Sequence, residues 1–236
     1  MTWDGVTCTK CSRVGILLAT FLVLGCGMES DPENLGTNSE ALTGSFTLDF
    51  ENEPLGPLAG AWSVTKDSPG GASTATIEST PDHGKVLHVH GVPVAPSYLV
   101  ATFRFSNSLL DIDNQVDLNP SAGAAFVWTF QGSGPSPRWI RLQRAPGSTM
   151  LVASTAPSGW TNCAALSSDV WSHVAIIVHT QQVPHTFDVL INGEATACTG
   201  VHTYLTAPYT LVNVMDASNQ GWGGDVLVDN ISVTAP

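Results

Sequence analysis

Trp139, Arg141 and Gln143 alternate with Ile140 and Leu142, so an extended backbone would set an aromatic plane, a guanidinium and a planar amide on one face. Such a face suits a sugar, whose apolar C–H side stacks on aromatic rings while its hydroxyls seek planar polar partners. Trp160 beside Asn162, and Trp222 beside Asn219 and Gln220, repeat the combination in glycine-containing segments expected to be loops at a groove rim. For Trp139 stacking on a ligand and plain packing are both open; for Trp160 and Trp222 the plainer reading is packing under a loop. Trp62, Trp128 and Trp171 flank apolar runs and are expected in the core.

Catalytic chemistry has fewer supports. Hydrolysis of a glycosidic bond needs two carboxylates facing each other across it. Asp111 and Asp113 have a suitable spacing, but with Asn114 and Asp117 they read as a polar loop, or less readily as a loop cation site. Arg104, Arg138, Arg141, Gln143, His88, His90, His173 and His179 hold the groups for an acid, a base and a carboxylate clamp. His88 and His90, two apart on one strand face, also have the spacing of two zinc ligands, against the plain reading of solvated side chains. No G-x-S-x-G run is present.

These residues need a compartment and a scaffold. Lys10 and Arg13 precede an apolar run, Val14 to Cys26, too short to span a bilayer and ending in Val23-Leu24-Gly25-Cys26. The arrangement resembles a bacterial lipoprotein signal, which implies a leader of residues 1–25 and acylation of Cys26; an ordinary signal peptide and an uncleaved anchor are the alternatives. Acyl chains contribute about 0.8 kcal/mol per buried methylene, enough to moor the chain at an envelope membrane or cell surface. Residues 26–44 are rich in Glu, Asp, Asn, Ser, Gly and Pro and read as a disordered tether. Residues 45–236 are then one folded domain.

Eight Lys and Arg against 20 Asp and Glu, a net charge of −12, exclude a basic surface that displaces counterions from nucleic acid. Cys8 and Cys11 fall in the leader. Cys163 and Cys198 remain, and an oxidising compartment favours a disulfide over two buried thiols. Closing a loop of that length is worth about 4 kcal/mol in the chain-entropy account.

After the leader no helical periodicity stands out; short alternating runs are punctuated by Gly, Pro, Asn and Asp. Ten strands are expected: 46–51, 85–91, 99–106, 124–130, 139–144, 149–154, 171–180, 187–192, 210–216 and 226–233. Leu87 and Val89 point inward against His88 and His90, and Val174, Ile176 and Val178 against His173 and His179. Asn192-Gly193 marks a tight hairpin.

Leu48-Asp49-Phe50-Glu51, Trp171-Ser172-His173-Val174-Ala175 leading into Phe187-Asp188-Val189-Leu190-Ile191-Asn192-Gly193-Glu194, and Val228-Asp229-Asn230-Ile231-Ser232-Val233 together resemble the concanavalin A-like lectin and glucanase superfamily, with its laminin G-like domains. The resemblance spans roughly residues 45–233. It implies an all-β, two-sheet antiparallel jelly-roll sandwich with a ligand groove, and first and last strands side by side. That adjacency brings Asp49, Glu51 and Asp229 within reach of each other as ligands of a structural calcium, or leaves them as solvated strand-end acids. The superfamily's glucanase run E-x-D-x-x-E is absent, as is the Y-x-K-x-G-x-Y run of its alginate lyases. The expectation is therefore a lipid-anchored, non-catalytic glycan-binding module, with Trp139, Arg141, Gln143, Arg104, His88, His90, Trp160 and Trp222 as ligand contacts. A polysaccharide lyase or hydrolase, and a structural or adhesive surface protein, are the alternatives.

Overall fold

The computed structural model describes residues 45–67, 72–93, 98–109, 112–132, 139–155, 159–179, 183–203, 209–216 and 223–234. The chain divides into Met1–Asn38, all of it outside the described residues, and Ser39–Pro236, which holds every element below. The segments expected to be a leader and a tether, with Cys26, therefore lie outside the described residues.

Among the described residues every element is a strand. In chain order they are β1 (Ser45–Leu48), β2 (Gly56–Pro57), β3 (Trp62–Asp67), β4 (Thr74–Thr80), β5 (Gly84–Gly91), β6 (Tyr98–Leu109), β7 (Ile112–Pro120), β8 (Phe126–Gly132) and β9 (Trp139–Arg144). There follow β10 (Met150–Ser154), β11 (Trp160–Ala165), β12 (Ser172–His179), β13 (Thr186–Ile191), β14 (Glu194–Ala195), β15 (Val201–His202), β16 (Tyr209–Asp216) and β17 (Gly224–Thr234). Each of the ten expected strands has a counterpart, although the first ends at Leu48 and not Glu51, and β2, β3, β4, β7, β11, β14 and β15 are additional.

Two antiparallel sheets form a sandwich. One runs β14-β13-β12-β7-β17-β5-β4-β2, with β1 also on β17 and β15 on β13; the other runs β11-β10-β9-β8-β16-β6-β3. As the jelly roll requires, the first and last strands lie together, Phe46 opposite Val233 and Leu48 opposite Ile231. The hairpin between β13 and β14 turns at Asn192 (φ 53°) and Gly193 (φ 81°), both left-handed, a backbone that Asn and Gly adopt at low cost.

The core lies between the sheets. Leu87, Val89, Val116, Leu118, Val174, Ile176, Val226 and Val228 enter it from the first sheet, Phe126, Trp128, Ile140, Leu142 and Leu151 from the second. Trp62 and Trp128 are buried as expected. Trp171 is not in the core: it is half-buried outside it, its ring stacked on His83 at 3.8 Å.

Of the segment read as a polar loop, Asp111 lies outside the described residues, and Asp113, Asn114 and Asp117 belong instead to β7, an interior strand between β12 and β17. Its side chains alternate strictly, Ile112, Asn114, Val116 and Leu118 inward against Asp113, Gln115, Asp117 and Asn119 outward. Asn114 hides the alternation by being polar at a core position. There its Nδ2 donates to Ser232 O at 2.9 Å and its Oδ1 accepts from Trp128 Nε1 at 3.2 Å, so the buried amide is paired at both ends.

Candidate functional site

Alternation about the core decides which candidates meet. Ile140 and Leu142 are buried, so Arg141 and Gln143 lie on the outer face of the seven-stranded sheet; burial of Ala101 and Phe103 puts Arg104 on that face too. Leu87 and Val89 are buried in the ten-stranded sheet, so His88 and His90 face outward on the opposite side of the sandwich. The eight expected ligand contacts are thus not one site. The expected pooling of Arg104, Arg141 and Gln143 with His88, His90, His173 and His179 for lyase chemistry is likewise divided by the core, and Arg138 lies outside the described residues.

On the seven-stranded sheet, Trp160 opens β11 opposite Ser154 of β10. It is an edge-strand residue, not a loop residue, because β10 supplies a partner that the sequence around it does not announce. Its side chain is 50% exposed, and the Arg141 guanidinium carbon stands 5.5 Å from its ring centroid, a cation–π arrangement. Ser154 Oγ accepts from the Arg141 backbone N–H, tying β9 to β10 at this level. Arg141 is half-buried, which lowers its pKa, and its Nε has no hydrogen-bond partner among the described residues. Gln143, opposite Val127 and Val152, continues the row. On the same face Val127 and Thr129 of β8 are buried, while Trp160 is exposed.

Trp139 keeps its place in β9 opposite Gln131, at the level where Leu211 faces both Gln131 and Arg104. Its side chain and all of Trp222 lie outside the described residues. Arg104 is exposed three strands from Arg141.

The outer face of the ten-stranded sheet is built from histidine and carboxylate pairs. His173 Nδ1 meets Asp117 Oδ1 at 2.7 Å, His179 Nε2 meets Asp188 Oδ2 at 3.0 Å, and His83 Nδ1 meets Asp229 Oδ2 at 3.0 Å. Asp225 Oδ1 takes two rings, His90 Nδ1 at 2.7 Å and His88 Nε2 at 2.8 Å; Glu78 Oε1 stands 2.9 Å from His88 Nδ1. Burial opposes charge on His88, but Glu78 and Asp225 outweigh it and raise its pKa. The bond to His88 lowers that of Glu78; in Asp225 burial acts upward and is outweighed by His90 and His88. Asp225 is a residue that sequence reasoning missed: it is acidic and alternates outward, but only the register of β17 on β5, Asp225 opposite His90, makes it a partner.

Asp49, Glu51 and Asp229 have separate engagements. Asp49 Oδ1 accepts from Glu51 N–H at 3.2 Å, and Glu51 Oε1 from Lys85 N–H at 2.9 Å. Asp229 is 3% exposed and accepts from Asn230 N–H at 2.7 Å besides facing His83. Among the described residues the group whose ligand atoms converge within 4.8 Å is His88, His90 and Asp225.

No family model matches this chain, and no curated protein matches it. Among solved structures it is similar to a sialidase (TM-score 0.63, 11% identity), over 81% of this chain but only 18% of that one. It is also similar to a protein of unknown function from Shewanella oneidensis MR-1 (TM-score 0.54, 14% identity, 91% and 96% of the two chains). A third is the carbohydrate recognition domain of Emp47p (TM-score 0.51, 9% identity, 80% and 94%). At these identities the likeness is one of fold alone, an antiparallel β-sandwich.

Proposed function

We propose that the domain binds a glycan on the outer face of its seven-stranded sheet. The observation that carries this is the half-exposed Trp160 ring with the Arg141 guanidinium at 5.5 Å and Gln143 on the same face. A sugar ring stacks on the indole while the Arg141 guanidinium and the Gln143 amide donate to its hydroxyls or ring oxygen. Fold likeness to a carbohydrate recognition domain supports the reading without identifying a sugar.

Retention of the purified chain on a panel of neutral and acidic polysaccharides tests the proposal. Trp160→Ala should weaken binding at least tenfold, the loss of about 1.4 kcal/mol of stacking, with an unchanged circular-dichroism spectrum. Retention by no polysaccharide, or retention indifferent to Trp160→Ala and Arg141→Ala, would overturn it. The reading includes lipid attachment at Cys26 as the mooring, for which Cys26→Ala should move the chain from the membrane to the soluble fraction.

A further inference from the structure

Three candidates stand outside the glycan face: the Asp117–His173 and Asp229–His83 pairs, the cleft beside the β13–β14 hairpin, and the group around Asp225. The first two pairs are closed on each other and on Asn230 and Gln115, and the cleft is lined by Ala164, Ala165, Ala195 and Thr196 with one acid, Glu194. The third is different in kind.

We infer that His88, His90 and Asp225 form a binding site for a divalent transition metal of the zinc class. His88 and His90 stand two apart on β5 and so share a face, and the antiparallel register sets Asp225 of β17 directly opposite His90. Two strands of one sheet thus hold all three ligands in a fixed frame. Nε2 of His88 and Nδ1 of His90 both aim at Asp225 Oδ1, at 2.8 and 2.7 Å, and the two rings are inclined at 70° with centroids 6.3 Å apart. Two imidazoles and a carboxylate are the donor set of three-ligand zinc sites, in which water or a substrate oxygen takes the fourth position.

Tetrahedral ligands at about 2.0–2.2 Å from an ion lie roughly 3.3–3.5 Å apart, so the carboxylate must withdraw by less than about 1 Å to admit the metal. The Asp225 side chain is 44% exposed and His90 41%, which leaves it room to do so and gives the ion access from solvent. Glu78 of β4 completes the arrangement. Its Oε1 lies 2.9 Å from His88 Nδ1, the nitrogen pointing away from the site, although that buried nitrogen has no well-directed hydrogen bond. A carboxylate behind the distal nitrogen fixes the tautomer and orientation of a ligating histidine and strengthens it as a donor. Glu78 is accordingly a positioning residue and not a ligand.

Nitrogen-rich donors separate this site from calcium chemistry, which takes six to eight oxygens. The site faces away from the proposed glycan surface, so each stands or falls without the other.

The test is metal titration of the untagged, EDTA-treated full chain with free thiols alkylated, so that Cys8, Cys11 and Cys26 cannot ligate. Zinc should bind with one-to-one stoichiometry by calorimetry, and cobalt should give the intense visible absorption of a tetrahedral nitrogen–oxygen site. His90→Ala and Asp225→Ala should each abolish saturable binding, and Glu78→Gln should weaken it by about 10–100-fold while keeping the cobalt spectrum. No saturable zinc binding by the unaltered chain, an octahedral cobalt spectrum, or binding indifferent to Asp225→Ala would overturn the proposal. Calcium binding with no response to zinc would do so equally.

Discussion

At the scale of single residues, burial separates Asp229 from the other carboxylates of its face. It is 3% exposed, and desolvation raises its pKa although His83 and the Asn230 N–H favour its charged form; Asp117, opposite it on β7, adds to the rise. A carboxylic acid whose pKa is higher in the folded than in the unfolded chain favours folding below the unfolded value. That contribution is lost as pH rises through the folded value. Asp229→Asn has the same shape and no charge. Stability of the variant, measured by urea unfolding from about pH 3.5 to 7, should lack the decline that Asp229 gives the parent above about pH 4. Parallel pH profiles for the two chains would show that Asp229 titrates as it does in the unfolded state. At the same scale Gly84 leaves room for Glu51: a side chain at Gly84 (φ 64°) would collide with the Glu51 carboxylate that caps Lys85 N–H. Glu51 thus closes the β4–β5 turn.

At the scale of elements, β7 shows how one polar residue can serve a core strand. Its Asn114 joins the layers, accepting from Trp128 of β8 and donating to Ser232 of β17. Asn114→Leu keeps the branching and the number of side-chain heavy atoms, although its methyl groups are bulkier, and leaves the Trp128 indole N–H buried without an acceptor, a cost of about 1–3 kcal/mol. The urea midpoint should fall accordingly with an unchanged slope, and a further Trp128→Phe substitution should recover part of the loss by removing the orphaned donor. A neutral Asn114→Leu would mean that the indole finds another partner.

At the scale of the whole molecule, each sheet ends in a vulnerable edge, β11 on one side and β14 on the other. The Cys163–Cys198 disulfide ties β11 to the segment that follows β14, 35 residues apart in sequence. Backbone bonds continue the tie, Ala197 N–H to Cys163 O at 3.1 Å and Val189 N–H to Cys198 O at 2.8 Å. Replacing both cysteines by alanine should cost about 4 kcal/mol by loop entropy and lower the melting temperature by about 10 °C. Calorimetry with and without reductant checks it, since the alanine variant should no longer respond to reductant. A melting temperature unchanged by the double substitution would place the stability of the edges in their packing alone.

How much of this was legible in the chain follows from the range of each physical cause. Alternation is local: Trp139 to Gln143, Lys85 to Gly91 and Ser172 to His179 announce strands and sort their own faces, and Asn192-Gly193 announces its hairpin. Cysteine pairing followed from counting, because Cys163 and Cys198 were the two left once Cys8 and Cys11 were assigned to the expected leader and Cys26 to the expected lipid attachment. The strand of Ile112 to Pro120 was obscured because its core asparagine is satisfied by residues 14 and 118 positions away, partners that no local pattern displays. Sheet membership is equally nonlocal. Hydrogen-bond register between β17 and β5 set Asp225 against His90, 135 residues apart, and the core between the sheets parted those histidines from Arg141 and Trp160. Side-chain direction is thus written in each strand, while which directions converge was decided only when the strands were paired and the two layers closed.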